Sequence, residues 1–213
     1  MSSFVKKTVT CVCCGKKYET NILKGYSTIG NSCIDLDTNP HSPAVYERVL
    51  ICPNCGYATA EPYTAISEEV KSLVKEDRYQ EILKSKQYDD ICKGLLLAGY
   101  LSVKSRNVKE AGYNYLLAYW YMKENGISEF EKARGKAIKN FERYLIKTPD
   151  LEVAMILVDL LRQSEQFSEA METLTSLERY IANNNMLKEV SLFEEKLIKS
   201  KDSKSHRIEE VSE

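Results

Sequence analysis

The chain has 213 residues, 43% hydrophobic and 29% charged, enough for one compact globular domain or two small ones. Lys and Arg number 30 and Asp and Glu 31, a balance that argues against a broadly basic surface for bulk nucleic acid and leaves room only for local patches. The longest apolar runs, Gly94–Leu101 and Val153–Leu161, fall far short of the roughly 20 residues that span a bilayer.

Residues 1–62 form the first region. Phe4–Thr10 and Lys16–Thr20 read as short strands, and Tyr46–Ile51, rich in β-prone residues at its end, as a third. Asn21–Ser42, with Gly25, Gly30, Asn39 and Pro40, reads as a polar, mostly looped insert. No apolar run follows Lys6 and Lys7, so a signal peptide is not expected and a cytoplasmic location is.

The chain's seven cysteines include two knuckles of the form Cys-x-x-Cys-Gly: Cys11 and Cys14 before Gly15, and Cys52 and Cys55 before Gly56. Two thiolates at this spacing hold one face of a metal ion, and a second pair completes a tetrahedron. An odd cysteine count with paired knuckles suits a reducing compartment and a metal better than a disulfide scaffold. Cys11, Cys14, Cys52 and Cys55 are therefore expected to bind one structural Zn2+ as a zinc ribbon, with rubredoxin-like iron or an oxidised thiol pair as alternatives. A region this small buries too little apolar surface to fold alone, and structural zinc contributes an apparent ~10–16 kcal/mol in finger peptides.

From Ser67 the period becomes helical. A first helix opens on the N-cap candidate Ser67 and ends near Ser85–Gln87. Further helices are expected over Asp89–Ser105, Lys109–Glu124, Ser128–Lys147, Asp150–Gln163, Ser168–Ile181 and Met186–Ser200. Residues 63–200 make a helical domain, and the charged, aperiodic residues 201–213 are expected to be a disordered tail. Leu95, Ala98, Gly99 and Ala111 share their spacing with Ala154, Leu157, Val158 and Ala170, and Ala137, Phe141 and Pro149 leave a third trace. Small residues at such points let antiparallel helices approach closely. The pattern resembles a degenerate tetratricopeptide repeat without its Trp-Leu-Gly-Tyr cluster; the alternative is a plain helical bundle. The fold class expected is α+β, mostly α: a small N-terminal zinc ribbon followed by a tetratricopeptide-like array of antiparallel helices.

Other residues could carry chemistry. Cys13, left over from the first knuckle, is expected to point away along the strand. With Cys33 and His41 in the insert it makes a possible thiol site, although Asp35 and Asp37 would raise the Cys33 pKa rather than lower it. Lys132, Lys136, Lys139, Arg143 and Lys147 share one face of their helix, a possible seat for an acidic partner or a solvated face. Tyr115, Tyr119 and Trp120 lie in an aromatic stretch, and a chain with 14 Tyr against 5 Phe favours half-wet surfaces, so these rings are candidates to line a partner groove. No phosphate loop, Gly-x-Ser-x-Gly, His-Glu-x-x-His or dinucleotide fingerprint is present, and two His leave little scope for His-based catalysis.

Taken together, Thr10-Cys11-x-x-Cys14-Gly15-Lys16-Lys17-Tyr18-Glu19, Leu50-Ile51-Cys52-Pro53-Asn54-Cys55-Gly56-Tyr57-Ala58 and Leu117-Ala118-Tyr119-Trp120-Tyr121 make the chain resemble a family of uncharacterised bacterial cytosolic proteins. Its members join an N-terminal ribbon to a tetratricopeptide-like helical region, and the resemblance covers residues 8–182. Val12-Cys13 stands where the family pattern has Pro and a variable residue, and Cys33 falls where a Cys is expected in the insert. The resemblance implies fold and zinc, and no activity. The expected function is a non-enzymatic, zinc-stabilised adaptor or scaffold whose helical groove binds a protein or peptide. The alternatives are a redox or metal-responsive thiol protein using Cys33 and Cys13, and a nucleic-acid-binding zinc ribbon, which the near-neutral residues 1–62 disfavour.

Overall fold

The computed structural model describes residues 3–25, 43–181, 185–207 and 210–211. The protein is mostly helical, with small N-terminal strands and a cysteine cluster preceding the helices. Its described residues form two compact units, 3–25 with 43–140, and 141 onward. Cys33 and His41 lie outside the described residues.

In the first unit, β1 (Ser3–Thr10) and β2 (Lys17–Gly25) form an antiparallel pair on either side of the first knuckle. The strand expected to stop at Thr20 runs on to Gly25, because Asn21, Ile22 and Leu23 find cross-strand partners in Lys6, Val5 and Phe4. Two-residue strands β3 (Leu50–Ile51) and β4 (Ala58–Thr59) bracket the second knuckle. The strand expected from Tyr46 does not begin there: Pro43–Arg48 is a 3₁₀ segment. Its cause is tertiary. Tyr46 is buried edge-on against Tyr121, ring centroids 5.2 Å apart, and its hydroxyl donates to Glu124 at 3.1 Å.

Helix α1 (Glu68–Leu73) starts on Ser67, whose hydroxyl accepts from the Val70 N–H, and α2 (Asp77–Lys84) follows. The helical stretch ends at Ser85 as expected, but it is also interrupted at Val74–Glu76, which was not expected. Asp89 caps α3 (Asp90–Lys104), which pairs with α4 (Val108–Glu124) through the three residues Ser105–Asn107. So short a connection forces the helices antiparallel. Arg106 takes the left-handed conformation (φ 61°) so that its N–H and that of Asn107 reach back to Val103 and Ser102 carbonyls. Gly99 allows the close approach: a Cβ there would stand 2.9 Å from the Tyr115 ring. Helix α5 (Phe130–Leu145) begins in this unit.

Ribbon and helices share one core here, so the boundary expected at residue 62 is not a break in packing. The fully buried Tyr79 of α2 donates to the Gly56 carbonyl at 2.8 Å and accepts from the Ala58 N–H at 3.1 Å.

The second unit holds the end of α5, α6 (Leu151–Gln163, capped by Asp150), α7 (Phe167–Ser176), α8 (Glu178–Ile181) and α9 (Asn185–Lys199). The single helix expected over Ser168–Ile181 is interrupted at Leu177. α6 and α7 repeat the earlier hairpin: Ser164–Gln166 connects them, Glu165 has φ 63°, and its N–H and that of Gln166 return to Arg162 and Leu161 carbonyls. Buried Arg162 donates to Glu194 at 2.8 Å, to Asp159, and to the backbone carbonyls of Asp202 (2.7 Å) and Lys204 (2.8 Å). Lys201–Arg207, expected as the start of a disordered tail, are held in place by those two bonds and by His206, whose ring lies 5.7 Å from that of Phe193. The unit binds this polar segment through the backbone carbonyls of Asp202 and Lys204 and through the His206 ring.

Candidate metal centre

The two knuckles are built alike. In each, the first cysteine's N–H donates to the carbonyl five residues on, from Cys11 to Lys16 and from Cys52 to Tyr57, both at 2.9 Å. In each, the glycine N–H returns to the first cysteine's carbonyl, Gly15 to Cys11 and Gly56 to Cys52, both at 2.8 Å. That turn needs a left-handed residue, and Gly15 (φ 74°) and Gly56 (φ 79°) supply it. β1–β2 present the first knuckle and β3–β4 the second, so four sulfurs converge.

The Sγ atoms of Cys11, Cys14, Cys52 and Cys55 all lie within 4.8 Å of one another. Across the knuckles, Cys11 and Cys55 are 3.7 Å apart and Cys14 and Cys52 3.9 Å. A tetrahedral ion with metal–sulfur bonds of about 2.3 Å requires sulfurs about 3.8 Å apart. The cluster therefore fits an ion at its centre, with four thiolates and no vacant coordination position.

The surroundings oppose each other electrostatically. Burial pushes the Cys11 and Cys55 thiols up, against the N–H groups of Cys14 and Cys13 at Cys11 and of Tyr57 at Cys55. The Lys16 N–H brings the exposed Cys14 thiol down. Backbone donors aimed at sulfur favour thiolates, while burial of several close thiolates disfavours them unless a cation sits among them. A divalent ion resolves this conflict.

Cys13 is half-buried in the knuckle turn. It does not point away from the cluster: its thiol is within hydrogen-bonding reach of Cys55, and burial raises its pKa. It stays outside the four-sulfur set. A cleft of about 590 Å³ opens beside Cys13, Cys14 and Cys55, walled by Glu68 and Lys71 of α1, which pair at 2.6 Å.

The expected aromatic groove is absent as drawn. Tyr115, Tyr119 and Trp120 are 4%, 0% and 6% exposed, packed in the core of the first unit. Tyr residues in a helix with apolar neighbours on every side are buried by packing, whatever their preference for wet surfaces. The basic face is also less uniform than its spacing suggests. Lys132 is exposed and paired with Glu129, while half-buried Lys136 lies over the Tyr115 ring at 5.0 Å, where burial lowers its pKa. Lys139 and Arg143 are exposed.

Sequence reasoning did not single out Tyr79, which ties the second knuckle to α2, or Tyr46. It also passed over the groove of about 720 Å³ in the second unit, with a floor that includes Ala154, Leu157 and Leu177 and lips at Ile146 and Tyr180. Among the described residues no helix is long and apolar enough to cross a membrane.

The chain belongs to the family described as "Uncharacterized protein conserved in bacteria (DUF2225)", whose family model matches residues 4–210. No curated protein and no solved structure matches it.

Proposed function

We propose that this member of an uncharacterised bacterial family is a zinc-stabilised cytoplasmic adaptor without catalytic activity. Cys11, Cys14, Cys52 and Cys55 would hold one structural zinc ion, the metal best suited to four thiolates in tetrahedral array, with iron as runner-up. A site closed by four protein ligands offers no position for substrate, so the ion's role is to fasten the ribbon. The helical hairpins, read as degenerate tetratricopeptide-like units, would present a groove to a protein or peptide.

One observation carries the interaction reading: the open apolar groove of the second unit, whose lips Ile146 and Tyr180 are 81% and 57% exposed. Exposed apolar surface gathered into a concavity marks an interaction site more often than scattered single residues do. Native mass spectrometry of the reduced protein, with elemental analysis, tests the metal. One zinc per chain, released together with four newly reactive thiols, is the expected result; a second metal or iron would change the reading. Cross-linking in the native cytosol tests the adaptor, and failure to recover any specific partner would count against it.

A thiol-based role is favoured by one observation, the position of Cys13 beside Cys55. In that reading Cys13, with Cys33, would respond to oxidants by releasing the metal. Equal zinc release under peroxide from the parent and from Cys13→Ser and Cys33→Ser variants would remove it.

A further inference from the structure

The two hairpins α3–α4 and α6–α7 correspond residue by residue at one constant offset, the one that relates Leu95 to Ala154 and Arg106 to Glu165. The chain's own 3₁₀ segment Pro43–Arg48 packs on the first hairpin and covers its Tyr121 end, while a cleft of about 710 Å³ stays open beside Arg48, Ala98, Glu110 and Asn114. Tyr46 anchors the segment against Tyr121, which is left 9% exposed. Two residues on, Arg48 donates to Glu110 at 3.1 Å, beside Ala98 and Asn114.

At the same offset Glu110, Ala98 and Asn114 correspond to Glu169, Leu157 and Thr173 of α6–α7, and Tyr121 to Tyr180 of α8, beyond the interruption at Leu177. An aromatic ring and a carboxylate thus stand at the same two sequence positions, Tyr180 at the lip of the second groove and Glu169 outside its lining. Yet Tyr180 is 57% exposed, in contact with the guanidinium of its own neighbour Arg179 at 6.0 Å. Among the described residues Glu169 is exposed and makes no ion pair. Leu157 and Thr173 line the open groove of about 720 Å³. The charged residues lining that groove are Glu142, Asp150 and Glu172, all acidic, and Asp150 is engaged as the α6 N-cap. An apolar floor with an acidic rim complements an apolar anchor flanked by positive charge.

We propose that the second groove receives from a partner protein what the first receives from this chain: a short helical turn carrying an aromatic anchor and, two residues on, an arginine. The aromatic ring covers Tyr180 as Tyr46 covers Tyr121, and the arginine pairs with Glu169 as Arg48 pairs with Glu110. The groove is walled by helices and their connections, so the mode of recognition is a helical turn in a groove rather than strand addition. This inference rests on the adaptor reading and specifies its partner.

The probe is the acetylated, amidated peptide Ser42–Val49, titrated into the full zinc-loaded chain and followed by amide NMR. Saturable shifts are expected at Glu169, Leu177 and Tyr180. Binding should weaken at least about tenfold with a Tyr46→Ala or Arg48→Glu peptide, and in Tyr180→Ala and Glu169→Lys chains, whose exposed substitutions leave the fold intact. Four results would each overturn the proposal. The first is no saturable shift, and the second is shifts confined to residues 90–124, where the peptide would be replacing the chain's own segment. The third is a dimer in sedimentation that Tyr180→Ala abolishes, which makes a second copy the occupant. The fourth is binding that appears only when residues 26–42 are replaced by a Gly-Ser linker, which makes the chain's own insert the occupant. A cross-linked partner that Tyr180→Ala still retains would leave the adaptor standing and remove the groove from it; peptide binding at Tyr180 with no cellular partner would do the reverse.

Discussion

Replacing Arg162 by Met removes the guanidinium that donates to two buried carboxylates. Asp159 and Glu194 are both 0% exposed, and the equally buried guanidinium donates to each while also holding the Asp202 and Lys204 carbonyls. Burial pushes the Glu194 carboxyl above its ordinary range even with Arg162 opposing the shift. Removing one partner of a buried charged set typically costs about 3–5 kcal/mol, because the remaining charge is left uncompensated. A domain's whole stability is about 5–15 kcal/mol, so Arg162→Met should leave the second unit marginal. Replacing Glu194 by Met as well should recover part of the loss, since apolar groups of similar volume substitute well for buried ion pairs.

The pH dependence has a definite sign. A carboxyl whose folded pKa is raised binds more protons in the native state than in the unfolded one, so its contribution to stability falls as pH rises through the folded pKa. Without Arg162 the upward shift grows, and the gap between parent and variant should be smaller near pH 5.5 than near pH 7.5. Urea unfolding by circular dichroism, with hydrogen exchange of α6 and α9 peptides to localise the loss, reads both quantities. A gap below about 1 kcal/mol, or one that does not change with pH, would refute the reasoning.

Three further outcomes are expected. Stripping the proposed zinc with a chelator at neutral pH should deprotect amides of Leu50–Thr59 while α6 and α9 keep their exchange rates, because Tyr79 then loses the ordered Gly56 and Ala58 backbone it binds. Gly99→Ala should destabilise by about 1–3 kcal/mol, since its methyl would stand 2.9 Å from the Tyr115 ring, whereas Gly135→Ala, with open space around it in α5, should stabilise by about 0.5–1 kcal/mol; paired thermal melts separate the two. Cys92 is fully buried and its pKa is pushed up to about 12 by burial, with Asp89 adding to the shift, so iodoacetamide near pH 8 should modify it only when urea is present, as peptide mass spectrometry would show.

What could be read from the sequence was what depends on near neighbours in the chain. A Cys-x-x-Cys-Gly knuckle is a local device: its two thiols, its left-handed glycine and its N–H donors span a few residues, so the four-sulfur cluster was visible before any fold was. The helix starts at Ser67, Asp89 and Asp150 are equally local, each side chain accepting from the backbone three residues on. What escaped is decided by distant partners. Asn21–Leu23 look like loop until β1 is laid beside them, and Arg162 looks like an interruption of an apolar helix until the carbonyls after α9 close on it. The aromatic run of α4 failed for a related reason, since the rings of Tyr115 and Tyr119 carry no signal that says whether a neighbour will cover them.

The hairpins sharpen this point. One sequence pattern generated both, with the same left-handed turn at Arg106 and Glu165 and the same buried small residues, Ala111 and Ala170. Neither pattern says which groove is covered. That depends on a segment far away in sequence, Pro43–Arg48, which overlaps the strand expected from Tyr46 and is a 3₁₀ turn whose Tyr46 and Arg48 contact the first hairpin. The proposed partner for the second groove rests on one contrast: Tyr121 is covered by Tyr46, and its counterpart Tyr180 is exposed.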